Sequence, residues 1–369
     1  MQSGVIHVVF GNCCLIGETM PAKFGVWWCG PGVAAVFVVG LLWASPSAQE
    51  AQFFRIGAAA TSGTFFEVGG VIASAISKPA GSPPCEHGGN CGVPGLVAVT
   101  QATQGSVENL RMVAAGQIES GIAQSDIVSW AYAGTGIFAA DGPTKQLRAI
   151  ANLFPENVQV VVHGDSAIRT LADLRGKRIS LGQMGSGTLA DARVVLAAAG
   201  LTEKDMTAEY LRPGVAAANV KDGTLDGFFL IGGVPVPAIR ELAATTPIRL
   251  IPIDDDALSR MKKSSSSYRR SVIPAGAYSG IDTETPSIGF NALWIVSADA
   301  SDDLIYAITK ALWNEATRRL LDAHNQIGKQ VRVEDALEGV AVPLHPGARR
   351  FYREAGLPVE DDAPLSKGD

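Results

Sequence analysis

Arg55-Ile56-Gly57-Ala58-Ala59-Ala60-Thr61-Ser62-Gly63-Thr64 runs from an apolar, strand-like stretch into Ser-Gly-Thr and then into a helical pattern. Lys177-Arg178-Ile179-Ser180-Leu181-Gly182-Gln183-Met184-Gly185-Ser186-Gly187-Thr188 does the same in the second half of the chain. Each Ser-Gly-Thr falls where a strand ends and a helix begins. The first backbone N–H groups of a helix lack intrahelical partners, and the helix dipole is positive there. Such an end readily binds an anion. Two of them, one in each half, point to two similar lobes gripping one small anionic ligand.

The echo continues downstream. Ala115-Gly116-Gln117-Ile118-Glu119-Ser120-Gly121-Ile122 is similar to Lys221-Asp222-Gly223-Thr224-Leu225-Asp226-Gly227-Phe228. Both read as a helix end, a glycine at the stop, and an acid ahead of a buried strand. Thr64 and Glu119 lie further apart than Thr188 and Asp226. The Pro/Gly/Cys-rich stretch 78–94 accounts for the excess as an inserted loop. With 41 glycines, one Ser-Gly-Thr recurs easily by chance. Two with matching surroundings do not.

Hydrophobic periodicity extends the pattern. A strand is predicted over 53–60 and a helix over 64–77, where Val68, Val71, Ile72, Ala75 and Ile76 share one face. A strand over 95–100, a helix opened by Ser106 and a short strand over 121–123 complete a βαβαβ order, which implies a parallel sheet covered by helices. Strands over 147–154 and 158–163, split at Pro155-Glu156-Asn157, are predicted to cross between lobes. The second lobe repeats the order: strand 178–181, helix 189–199, strand 208–211, helix 215–220 and strand 227–231. Strands over 248–253 and 287–296, a polar loop over 262–267 and one long helix over 302–321 follow, with a frayed tail after Leu357.

The composition bounds the function. The chain has 369 residues, 47% hydrophobic and 18% charged, enough for two domains with real cores. A net charge of −6 without a dense basic stripe argues against nucleic acid as a partner. Residues 1–48 read as a signal-peptide region: Met20-Pro21-Ala22-Lys23 is a short basic start, 24–44 is apolar, and small residues follow. Met20 is the expected true start, with cleavage between Ser47 and Ala51 and export to the periplasm. Two cysteines, Cys85 and Cys91, remain after such cleavage, and a close pair in an exported chain is expected to form a disulfide. A metal site on Cys85, His87 and Cys91 lacks a fourth ligand.

No catalytic pattern emerges. Ser186 is not in a Gly-x-Ser-x-Gly elbow, because position 184 is Met184. There is no dinucleotide fingerprint, phosphate loop or paired zinc motif, and no cofactor or metal is expected. The candidate ligand contacts lie at the predicted carboxyl ends of strands, where α/β sheets bind ligands. They are Ser62, Gly63, Thr64 and Phe65; Ser106 and Asn109; Gln124, Ser125 and Asp126; Glu156; Ser186, Gly187 and Thr188; and Gly233 and Pro235. Each Ser or Thr, taken alone, is as well explained as a helix cap.

At this point an ordered set of motifs resembles a known family. Thr61-Ser62-Gly63-Thr64-Phe65-Phe66, Gly105-Ser106-Val107-Glu108-Asn109 and Gly121-Ile122-Ala123-Gln124-Ser125-Asp126 come first. Leu153-Phe154-Pro155-Glu156-Asn157-Val158-Gln159-Val160-Val161-Val162, Gly185-Ser186-Gly187-Thr188 and Gly232-Gly233-Val234-Pro235-Val236-Pro237-Ala238-Ile239 follow. Together they resemble the solute-binding subunit of TAXI-type TRAP transporters. The resemblance implies an α/β, two-lobed type II periplasmic-binding-protein fold with the ligand cleft between lobes. It also implies a carboxylate ligand such as glutamate or a 2-oxoacid, and delivery to a TRAP-type membrane permease. Lobe I is expected over 49–157 and 254–369, lobe II over 158–253, in a monomer. The alternatives are an ABC-type periplasmic binding protein for a small anion and, behind it, a secreted enzyme on a similar frame.

Overall fold

In a computed structural model, which describes residues 51–263, 267–340 and 342–359, the two echoing segments build the same unit twice. In the first, β1 (Gln52–Gly57) leads into α1 (Thr64–Ile76), which buries Val68, Ile72, Ala75 and Ile76. β2 (Ser77–Lys78) and β3 (Val93–Pro94) pair with each other, and the Cys85–Cys91 disulfide closes the insertion between them. β4 (Leu96–Gln101), α2 (Ser106–Ala114), β5 (Ser120–Gln124) and α3 (Ser125–Ala133) follow. After β6 (Leu147–His163), the second unit runs β7 (Arg178–Ser180), α4 (Gly187–Ala198), β8 (Thr207–Glu209), α5 (Pro213–Lys221) and β9 (Gly227–Gly232). The chain continues through α6 (Pro237–Ala243), β10 (Ile248–Leu250), α7 (Asp255–Met261), β11 (Arg269–Ile273) and β12 (Thr285–Ser297). It ends in α8 (Asp302–Leu312), α9 (Glu315–His324) and α10 (Pro346–Glu354).

Among the described residues, one mixed sheet follows the order β4-β1-β5-β12-β6-β9-β7-β8, with β10 beside β6 and β11 beside β12. The order is symmetric about its centre. At one end the second, first and third strands of the first unit lie side by side and parallel. At the other end the second unit has the same second-first-third order, also parallel. Between them β12 and β6 run antiparallel to each other and to their outer neighbours. The fold is therefore α/β with two lobes joined through a shared central pair of strands. A parallel order that reverses at its first strand leaves a crevice at the strand carboxyl ends, and here there are two such crevices.

The halves are also stitched alike. Arg55 donates to Glu119 through its backbone N–H (2.7 Å), Nε (2.8 Å) and Nη2 (2.6 Å). Arg178 does the same to Asp226 at 2.8, 3.2 and 2.7 Å. Each acid thus ties the start of its third strand to the first, which is the physical role of the acid in the downstream echo. In the centre, buried Trp294 on β12 donates its indole N–H to Ser120 Oγ (3.0 Å) and meets Phe54 edge-on.

Four expectations change. The strand over 53–60 stops at Gly57. Pro155-Glu156-Asn157 does not split two strands: β6 passes straight through it. Pro155 is exposed and sits beside a register shift at Ala292/Leu293, an irregularity where a missing N–H is tolerated. The long helix over 302–321 is two helices, because Asn314 caps α9 by accepting from Thr317 N (2.9 Å). The strand over 248–253 stops at Leu250. The proposed signal region, part of the polar loop 262–267 and the end of the tail lie outside the described residues. Among those described, no helix is long and apolar enough to cross a membrane.

Candidate functional site

Four helix N-termini meet at one cavity. Gly63, Thr64 and Phe65 open α1; Gly105 and Ser106 open α2; Ser186, Gly187 and Thr188 open α4; Pro213 opens α5, with Ala216 one turn on. All line a cavity of about 540 Å³ of empty space, its open mouth included. These are the same two helices from each unit, at the same ends of the sheet. Gln104, Gln124 and Gln183 add amides, while Leu211, Phe229, Leu230 and Ile231 make an apolar wall. No lining residue carries a charge. The N-cap residues of α1, α2 and α5 make no side-chain cap bond, and α5 instead has one N–H met by Ser62 of the opposite half. The cavity is thus positive through backbone dipoles alone, an environment for a compact anion with a small apolar body.

The halves touch across this cavity. Ser62 Oγ accepts from Gly214 N at the start of α5 (3.1 Å), and Thr64 Oγ1 accepts from Gly233 N (3.2 Å). Gln183 donates to Gln104 O (2.8 Å), and Glu108 N donates to Gly185 O (3.1 Å). Gln124 accepts from Ser106 (3.1 Å) and donates to Asp191 on α4 (2.8 Å). Gly187 permits this approach, since a Cβ there would collide with Gln124 Oε1. Gly105 has φ +121°, a backbone that side chains rarely adopt, so α2 starts from a glycine.

Of the residues singled out in the sequence, Gly63, Thr64, Phe65, Ser106, Gln124, Ser186, Gly187 and Thr188 line the cavity. Some do so with committed side chains. Ser186 caps α4 by accepting from Leu189 N (3.0 Å) and donates to Gln183 O (2.6 Å). Thr188 accepts from Ile231 N within its own half (3.2 Å). The other seven are not in the lining. Asn109 is fully buried: its amide donates to Gly57 O, Ala58 O and Ile122 O at 3.1, 2.6 and 2.8 Å, and its carbonyl accepts from Thr103 (2.7 Å). It locks α2 to β1 and β5. Ser125 Oγ accepts from Asn291 N of β12 (3.2 Å). Ser62 and Gly233 act through the cross-cavity bonds above, and Pro235 follows a cis peptide bond after Val234. Cys85 and Cys91 are bonded to each other, which leaves no thiolate for a metal.

Asp126 and Glu156 are buried and not in the lining, and neither carboxyl finds a side-chain donor. Burial pushes both up from the carboxylate range, and for Glu156 the nearby Asp126 adds to it. Asp191, which the sequence reading passed over, is buried with them, and burial followed by the charge of Asp126 pushes it well up. Its only signal was an acid among the small and apolar residues of a predicted helix. The lining glutamines Gln104 and Gln183 were also missed; each directly neighbours a small-residue turn.

The NMT1-like family matches this chain over residues 56–356. Solved structures with similar architecture include the alkanesulfonate-binding protein SsuA from Xanthomonas axonopodis pv. citri bound to MOPS. It is 21% identical, with 84% of this chain and 81% of that one covered and a TM-score of 0.40. Another is a putative sulfonate ABC transporter's periplasmic sulfonate-binding protein from Methylobacillus flagellatus: 18% identical, 83% and 86% covered, TM-score 0.41. A Prochlorococcus marinus protein in complex with methylphosphonate is 12% identical, with 82% and 98% covered and a TM-score of 0.43.

Proposed function

The chain belongs to the NMT1-like family, and from that premise we propose that it is an exported solute-binding protein that captures one small organic anion between its two lobes. One observation carries the reading. The cavity gathers the N-termini of four helices, two from each of two equivalent halves, and has no charged side chain in its lining. A ligand that touches both halves binds the closed arrangement better than the open one, so it draws the lobes together. The lobe boundary on this reading falls at Asn157/Val158 on β6 and near Ile253, giving 49–157 with 254–369 as one lobe and 158–253 as the other. The Cys85–Cys91 disulfide supports an oxidising compartment such as the periplasm.

Capture without turnover is the reading, because the lining offers no titratable group to act as acid, base or nucleophile. The ligand class is a carboxylate, sulfonate or phosphonate, with glutamate and 2-oxoacids among the carboxylates. The membrane partner we assign is an ABC-type permease, the transporter class named for the similar sulfonate-binding protein. A TRAP-type partner is the second reading, favoured by the ordered motifs from Thr61 to Ile239. A thermal-shift screen of the processed protein tests capture. Amino acids, dicarboxylates, 2-oxoacids, alkanesulfonates and phosphonates form the panel, and a ligand specific for the folded state raises the melting temperature. No shift with any of them would count against the reading.

A further inference from the structure

The halves also meet at a group of carboxyls behind the cavity. Asp126 lies in the first turn of α3, Asp191 on α4, and Glu156 on β6. Their residues are at most 1% exposed. Asp191 accepts from Gln124 Nε2 (2.8 Å) and from Tyr268 OH (3.1 Å). Asp126 lies beside Asp191, close enough that the two carboxyls act on each other. Yet no side-chain donor meets either oxygen of Asp126 or of Glu156, and only the backbone N–H groups of Asp126 and Ile127 act on the Asp126 carboxyl. The titratable groups facing Asp126 and Asp191 are Glu156 from β6 and Tyr268 from the segment before β11. No Arg, Lys or His among the described residues pairs with any of the three acids.

Two ionised carboxyls are acceptors only, so they cannot bond to each other. A proton between them removes the repulsion and supplies the missing donor, and the pair then titrates as a unit. Asp126 belongs to the first half and Asp191 to the second, so the contact exists only when the halves are together. We propose that Asp126 and Asp191 form a proton-binding site that assembles as the cleft closes, so that closure takes up a proton and opening releases it. This inference rests on the lobe-closure reading above.

The sign follows from linkage. Separated and in water, each carboxyl titrates near its ordinary value of about 4. Together, burial and the neighbouring charge hold the pair above that value. Below the ordinary range both states are protonated and closure does not depend on pH. Above it, the open state has lost a proton that the closed state retains, so the closed fraction falls as pH rises. The slope approaches ~tenfold in the closing constant per pH unit for one proton. Glu156, on the strand common to both halves, keeps an unpartnered carboxyl beside the pair and raises the cost of charge there.

Hydrogen exchange in ligand-free protein tests this. The amides of Gly214 and Gly233 donate to Ser62 and Thr64 across the cavity, so their protection reports closure. Protection, corrected for intrinsic exchange, is followed from about pH 5 to about pH 8. In the wild type it should fall with pH by up to ~tenfold per unit, while core amides such as Ile122 and Trp294 do not follow that slope. In Asp126→Asn the new amide donates to Asp191 and the charge of Asp126 is gone, so the slope should become clearly shallower, the burial of Asp191 remaining; Asp191→Asn is the second variant should the first fold poorly. A wild-type profile flat in pH would overturn the inference, as would an unchanged slope in both folded variants. Because no ligand is present, failure here leaves solute capture standing, and a failed ligand screen leaves the proton site standing.

Discussion

The loops Thr61–Thr64 and Gly185–Thr188 carry the same Ser-Gly-Thr at equivalent places, yet their hydroxyls go to different partners. In the first, Ser62 and Thr64 both accept backbone N–H groups from the opposite half, and α1 is left uncapped. In the second, Ser186 caps its own helix and Thr188 holds its own β9. One loop works as a clasp and the other as a brace. A repeated tripeptide therefore fixes where a helix begins but not what its side chains bind. That choice depends on what the opposing half presents.

The largest contrast lies at the two glycines. Gly187→Val should drive Gln124 from its bonds to Ser106 and Asp191. Stranded buried polar groups cost ~1–3 kcal/mol each, so binding of a screened ligand should weaken by about two orders of magnitude. Gly63→Ala at the mirrored position meets only Ala60 O at 3.3 Å and should change affinity little. Calorimetric titration of both variants checks this; equal losses would break the distinction between the halves.

Asn109 sharpens it next. It holds three carbonyls of the first half, whereas the fourth position of α5 is Ala216. Asn109→Ala should lose ~2–3 kcal/mol and several degrees of melting temperature, because buried acceptors are left unmet. Denaturant unfolding measures it, and a loss under ~0.5 kcal/mol would show that water replaces the amide.

A smaller effect separates clasp from brace directly. Thr64→Val should weaken ligand binding by roughly two- to tenfold, the worth of one neutral hydrogen bond of ~0.5–1.5 kcal/mol. Thr188→Val should instead lower the melting temperature while affinity changes less. Reversed outcomes would exchange the two roles.

The smallest effects should be equal in both halves. Arg178 hydrogen bonds hold Asp226 below the usual carboxylate range. For Glu119 burial pushes upward, and the Arg55 hydrogen bonds outweigh it, so the net direction is also down. A depressed carboxyl adds stability above its ordinary range and loses it as pH falls through the depressed value. The pairs are partly exposed, so Glu119→Gln and Asp226→Asn should each cost under ~1 kcal/mol, with the loss disappearing in acid. Urea unfolding at neutral and acid pH compares them.

The repeat was legible because it is written in local chemistry: an apolar strand, a small-residue turn and a helix period, twice in order. The insertion at 78–94 was legible from interval and composition. The Arg55–Glu119 and Arg178–Asp226 brackets were present in the quoted segments, but pairing across many residues leaves no local periodicity. α3 was hidden because Ser125-Asp126 reads as the end of a strand, and the break at Asn314 because apolar spacing continues past it. Asn109 and Thr188 had the right chemistry for ligand contacts; what decides their partners is which backbone groups the tertiary fold leaves unmet beside them.

Calorimetric titration of the processed wild-type protein with the strongest thermal-shift ligand tests the central claim most directly. The account predicts saturable binding of one small anion per chain, with the ligand recovered chemically unchanged. Absence of saturable binding by any carboxylate, sulfonate or phosphonate, or steady heat from continuing turnover, would contradict it.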